Sequence, residues 1–148
     1  MKADGSNFRV ITSGEANDQV PNWSRNGKRL IFFSDRTGKN QICTMKPDGS
    51  EVQQFVVTAF NEVVASWSPD NKKIAFISDR DGNSEVYVMD ADGTNARRLT
   101  NTPATERSAF WSPDGKQIAF SADVEGRSEI YVINVDGSSV KCLTCVSQ

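Results

Sequence analysis

Histidine is missing from the whole chain of 148 residues. Its absence excludes Ser–His–Asp and Cys–His nucleophile activation, removes the commonest general base, and takes away most zinc sites. Cysteine is scarce: Cys43, Cys142 and Cys145 make an odd number and not a disulfide framework. No apolar run approaches the ~20 residues of a membrane-spanning helix. The opening MKADGSNFRV lacks the apolar stretch of a secretory signal, so no signal peptide and no membrane insertion are expected. An excess of one charge is lacking too. With 17 Lys+Arg against 19 Asp+Glu, the net charge of −2 offers no clustered basic surface for nucleic acid. What remains, at 37% apolar and 24% charged residues, suits one ordinary globular domain with a core of its own.

What the sequence has in abundance is itself. Trp23, Trp67 and Trp111 stand 44 residues apart, and Asp4-Gly5, Asp48-Gly49, Asp92-Gly93 and Asp136-Gly137 keep the same step. So do Asp35, Asp79 and Asp123, and no insertion or deletion breaks the register from Asp4 to Thr144. A period in the forties with strand-like content reads as propeller blades. Each unit divides into four short strands. The first ends in the tryptophan (VVASW, SAFW, more weakly QVPNW), and a turn follows in which Pro69 or Pro113 presets φ. The second (RLIFF, KIAFI, QIAFS) is apolar at consecutive positions, as a strand covered on both faces must be. A hairpin leads to the third (QICTM, EVYVM, EIYVI), and an Asp-Gly turn leads to a more polar fourth (FRVIT, VQQFVV, ARRLT, VKCLT) at the outer edge. The expected fold is all-β: a β-propeller of four-stranded antiparallel blades, three per chain, at about 20–57, 64–100 and 108–144. Residues 1–16 are a surplus outer strand and linker.

The units resemble the WD-repeat-like blades of the TolB family, with a WSPDG-type turn, an apolar strand, S-D-R, IYVMDADG and RRLT. The second unit matches over nearly its full length, and the third departs only at Ala122 and Val124. The first is looser, with Arg25 in place of proline and Cys43 in place of tyrosine. The resemblance implies a six-bladed ring, of which three blades are half. A half-ring leaves two blade faces open, so a ring-completing homodimer of 3+3 blades is expected unless the chain is cut from a longer propeller. Phe8 to Thr12 and Val140 to Thr144 then compete for the outer edge of the last blade, and the N-terminal segment is favoured. Relatives of this kind include periplasmic proteins that bind other proteins and propellers that gate serine peptidases. A fragment would accordingly be periplasmic or secreted and a whole chain cytoplasmic.

Several residues invite chemistry. The three tryptophans are read as packing between blades rather than as an aromatic channel. DRDGNSE (Asp79 to Glu85) lacks the spacing of a calcium loop, so Asp35, Asp79 and Asp123 are read as acceptors that fix their turns. Cys142 and Cys145 cannot complete a tetrahedral metal site alone, and on a regular strand they point apart, which disfavours a disulfide. Ser34 and Ser78 sit in no nucleophile elbow. No catalysis, cofactor or metal is expected.

Recognition is expected at the blade ends that collect the hairpins Asp35–Asn40, Asp79–Ser84 and Asp123–Ser128 with the linkers Ser13–Gln19, Thr58–Glu62 and Asn101–Arg107. The linkers vary most between units. Arg36, Arg80, Asp81, Asn83, Glu106 and Arg107 are the candidate binding residues, since exposed arginine and mixed polar groups suit an interface rim. The function expected is a non-catalytic scaffold for protein or peptide recognition. The alternatives are the propeller portion of a larger enzyme, such as a substrate-gating domain of a serine peptidase-like protein, or a purely structural assembly module.

Overall fold

The apolar run that each unit repeats becomes the second strand of a four-stranded antiparallel sheet. A computed structural model of the chain describes residues 4–12, 14–55 and 60–145. Met1, Ser13 and Thr58, which figured in the expected ends and linkers, lie outside the described residues. The first sheet holds β1 (Asp18–Trp23), β2 (Leu30–Ser34), β3 (Gln41–Met45) and β4 (Gln53–Gln54). The second holds β5 (Glu62–Trp67), β6 (Lys73–Ser78), β7 (Glu85–Asp90) and β8 (Arg97–Arg98). The third holds β9 (Thr105–Trp111), β10 (Gln117–Val124), β11 (Arg127–Asn134) and β12 (Lys141–Cys142). Strands neighbour one another in chain order within every sheet, as in a propeller blade. Among the described residues there is no helix.

The sheets stack, and the core lies between them. Ile31, Phe33 and Ile42 of the first blade meet Trp67, Ile74 and Phe76 of the second. The opposite face of the second blade, with Ala75, Ile77, Val86 and Val88, meets Trp111, Ile118 and Phe120 of the third. Consecutive residues of β6 therefore serve two different interfaces, which is why its sequence does not alternate apolar with polar.

Trp67 and Trp111 each reach back onto the blade before them. Trp67 and Trp111 are 6% and 8% exposed, and Trp111 Nε1 donates to the Ser66 carbonyl at 3.2 Å. Trp23, expected to be packed like the others, is 55% exposed, because no blade of this chain precedes it. At the other end of the stack Phe110, Ile130 and Leu143 are exposed.

Phe8 to Thr12 does not form the expected strand; it enters no sheet. Within this chain the outer edge of the last blade is held by β12, with Tyr131 opposite Cys142 and Val132 opposite Lys141. The N-terminal segment has a different task. Ile11 packs against Leu30, Phe32, Cys43 and Met45 of the first blade. It stands one period before Phe55 and two before Leu99, and each of these residues abuts the Asp-Gly turn of the following blade. Leu143 is the next in that series and has no following blade to meet.

These contacts make a testable contrast. Gly93 and Gly137 both lie at φ near +90° (+89° and +91°), where an L side chain is strained by ~1–2 kcal/mol. A Cβ on Gly93 would come within 2.7 Å of Phe55 Cδ1, whereas one on Gly137 would meet nothing closer than the Leu99 carbonyl at 3.9 Å. Gly93→Ala is therefore expected to cost about 2–3 kcal/mol and Gly137→Ala about half of that, read by urea denaturation. Equal losses would place the strain in the backbone alone.

Candidate functional site

The hairpins and linkers do share one end of the blades. Asn17 donates its backbone N–H and its side-chain amide to the two oxygens of Asp35, at 2.8 and 2.6 Å. Asn61 does the same to Asp79 at 2.8 and 3.0 Å. These aspartates thus tie the incoming linker to the hairpin instead of fixing their own turns, which the backbone closes unaided through Gly38 N–H to the Asp35 carbonyl and Gly82 N–H to the Asp79 carbonyl. The Asn17 hydrogen bonds hold the Asp35 carboxyl below its ordinary range. In the third blade Thr105 replaces the asparagine, and Arg107 takes over the bond to Asp123, with Nε at 2.6 Å, lowering its pKa likewise.

Beside each aspartate lies a second repeated arrangement. In the first blade Arg36 bonds Asp18 at 3.1 Å, donates Nε to Ser34 Oγ at 2.8 Å and lies 5.7 Å from the Phe32 ring centre. In the second, Arg80 bonds Glu62 Oε1 at 2.5 Å, donates to Ser78 Oγ at 3.0 Å, and covers the Phe76 and Tyr87 rings at 5.4 and 4.8 Å. Burial pushes the Glu62 carboxyl up to about 7 even though Arg80 pulls it down. The Tyr87 hydroxyl donates to Asp81. The two serines are buried acceptors for guanidinium groups, which suits structure and not nucleophilic attack.

In the third blade the acid is kept and the arginine is not. Glu106 occupies the position of Asp18 and Glu62, but Val124 stands where Arg36 and Arg80 stand, and Ala122 replaces the serine. The ring pair survives, with Phe120 and Tyr131 stacked at 5.3 Å. Where the guanidinium sits in the other blades there is a cavity of about 440 Å³, lined by Glu106, Phe120, Ala122, Val124 and Tyr131, with the linker Thr102–Ala104 above it. Glu106 is 1% exposed; its Oε1 accepts from Thr102 Oγ1 at 3.0 Å, and its Oε2 has no hydrogen-bond partner among the described residues. Burial raises its carboxyl to about 7.

The candidate rim residues accordingly separate. Arg36 and Arg80 are held in ion pairs, and Asn83 donates to the carbonyls of Thr102 and Ala104. Asp81 accepts from Tyr87 and Arg98. Glu106, expected at an exposed rim, is buried, because the linker folds over it. Arg107 alone of the six has a mostly exposed side chain. Phe120, Val124 and Tyr131, absent from the expected site, form its walls; the signal was the pair of departures at Ala122 and Val124.

Cys142 and Cys145 form a disulfide, against expectation. β12 ends at Cys142 and the chain bends at Leu143–Thr144, so the two Cα atoms lie 5.7 Å apart instead of on opposite faces of a strand. Glu129 stands beside the pair, but disulfide sulfurs do not ligate as thiolates.

No curated protein matches the chain at a significant level. Among solved structures it is similar to a putative TolB from Agrobacterium tumefaciens, with 20% identity and a TM-score of 0.80 over 90% of this chain and 51% of that one. It is similar to TolB from Acinetobacter baumannii at 26% identity and a TM-score of 0.77, over 95% of this chain and 35% of that one. The tricorn protease is more distant, with 21% identity and a TM-score of 0.61 over 82% of this chain and 12% of the protease. The chain thus spans about half or less of the length of these proteins. Residues 54–148 match the model of the TolB beta propeller domain, well over half of the sequence, and its three stacked antiparallel blades agree with that match. The chain belongs to the TolB beta propeller domain family.

Proposed function

We propose that the chain is a non-catalytic scaffold that binds a protein or peptide at the hairpin-and-linker end of its blades. One observation carries the reading. Two blades fill their ends with their own arginines, and the third leaves a cavity against a buried carboxylate. Concave sites with few polar groups are where ligands are usually held. A random peptide library panned against the chain tests this. Selected peptides are expected to shift the amide resonances of residues 102–107 and 120–131. Peptides that map only to the opposite turns, at residues 48–50 and 92–94, would refute it.

The likeness to part of the tricorn protease favours a second reading, in which this propeller belongs to a larger enzyme and its binding end screens substrates. There the chain's own task would still be binding.

The proposed partner for the open blade faces is a second copy of the chain, closing a ring of 3+3 blades. Support comes from the complementarity of the two ends. Trp23 stands free at one, and the face carrying Phe110 and Ile130 stands open at the other. Inside the chain the corresponding surfaces are the ones that meet when Trp67 and Trp111 pack on the preceding blade.

A further inference from the structure

We infer that the cavity of the third blade is a guanidinium site, built to take an arginine side chain from a bound polypeptide where Val124 fails to supply one. The inference deepens the scaffold reading above and rests on it. The chain carries its own reference: an acid at the equivalent position, a phenylalanine ring and the same hairpin hold Arg36 beside Asp18 in the first blade and, with the Tyr87 ring added, Arg80 beside Glu62 in the second. The third keeps the acid and both rings but lacks the cation, and Ala122 replaces the serine that accepts from it.

Three further observations agree. The walls offered by Phe120 and Tyr131 are stacked rings of the kind that Arg80 covers at 4.8–5.4 Å one blade earlier, and a ring face attracts a cation. Charge at the site is short of one positive group. Buried Glu85 and Glu106 each keep an oxygen without a partner among the described residues, and the nearby Arg98 is already bonded to Glu85 Oε1 at 2.5 Å and to Asn101 at 2.6 Å. A buried carboxylate oxygen left unpaired is costly, and a charged donor would relieve it. Finally, the cavity is lined by the linker Thr102–Ala104 and by third-blade residues, among them Phe120 and Ala122 of the face that packs toward the second blade, so it lies away from the open blade face that carries Phe110 and Ile130. Asp123 and Glu125 at the mouth add negative charge for an approaching cation, though Asp123 is shared with Arg107.

The test titrates a blocked Gly-Arg-Gly peptide into the 148-residue chain, followed by NMR, with the citrulline peptide as a neutral isostere and free L-arginine as a second source of guanidinium. The arginine peptide is expected to shift residues 102–106 and 120–124 and to bind at least tenfold more tightly than the citrulline peptide. Binding of free L-arginine as tight as that of the peptide would assign the site to a small guanidinium compound and overturn the polypeptide source. Glu106→Gln should weaken binding at least tenfold. Val124→Arg should abolish it while leaving the melting temperature unchanged or higher, since it rebuilds the pair seen in the second blade. Equal binding of the arginine and citrulline peptides, or binding that survives Val124→Arg, would overturn the inference. Library peptides that bind this end without a basic residue and ignore Glu106→Gln would sink the guanidinium site and spare the scaffold reading. Arginine binding with no library peptide at this end would do the reverse.

Discussion

Trp67→Ala and Trp111→Ala should each lower the stability of the fold by about 3–5 kcal/mol, and Trp23→Ala by less than about 1 kcal/mol, at concentrations where single chains prevail. The three residues are equivalent in sequence and occupy the same place in their blades. They differ in what lies against them. Trp67 packs on Ile31, Phe33 and Ile42, and Trp111 packs on the face of the second blade and donates to the Ser66 carbonyl. Trp23 is 55% exposed and has no preceding blade of this chain to pack on, so its loss leaves no cavity between sheets. Trp67 Nε1 is buried without a partner among the described residues, which makes its packing and not a hydrogen bond the source of its contribution. Urea denaturation of the three variants measures the contrast. Three similar losses would mean that the tryptophans act within their own blades instead of between them.

Arg80→Ala should cost about 3–5 kcal/mol at pH 8, because it strips the partner from a carboxylate that is almost fully buried. The loss should shrink toward pH 5. Burial already lifts the Glu62 carboxyl from 4.5 to about 7, and removing the guanidinium lifts it further. A carboxyl whose folded pKa lies above its unfolded value binds its proton more tightly in the folded state. Stability then falls as pH rises from about 4.5 through the folded value, and in acid the protonated side chain needs no counter-ion. The Arg36→Ala variant is the control. Its partner Asp18 keeps 11% of its side chain exposed against 2% for Glu62, so a smaller cost, about 1–2 kcal/mol, is expected. Denaturation curves at pH 5 and pH 8 decide the matter; a loss for Arg80→Ala that does not grow with pH would show that Glu62 is not the group left stranded.

The fold was legible because a propeller writes each blade in local sequence. Turn residues, the doubly buried second strand and the 44-residue step all act within one unit. What depends on a neighbouring blade was not legible. Nothing in QVPNW says that Trp23 lacks a surface to pack on, and nothing in FRVIT says that Ile11 caps a turn in the next blade instead of forming a strand. The candidate site was half legible. Glu106 and the hairpin end were named from loop variability, and the departures at Ala122 and Val124 stood out against the repeat. Their meaning required the place of Arg80 over two rings and beside Glu62, a contact 18 residues away in sequence that no strand periodicity encodes. The disulfide was missed because the last strand was assumed to continue through Thr144, whereas its ladder ends at Cys142.

We propose that a tryptophan seated on the preceding blade, as Trp67 and Trp111 are within the chain, also joins two chains through Trp23. Sedimentation equilibrium at micromolar concentration, on the wild type and on Trp23→Ala, tests it most directly. A wild-type mass of twice 16.3 kDa and a Trp23→Ala mass of 16.3 kDa are expected. A wild-type chain that stays at 16.3 kDa, or a dimer indifferent to Trp23, would contradict it.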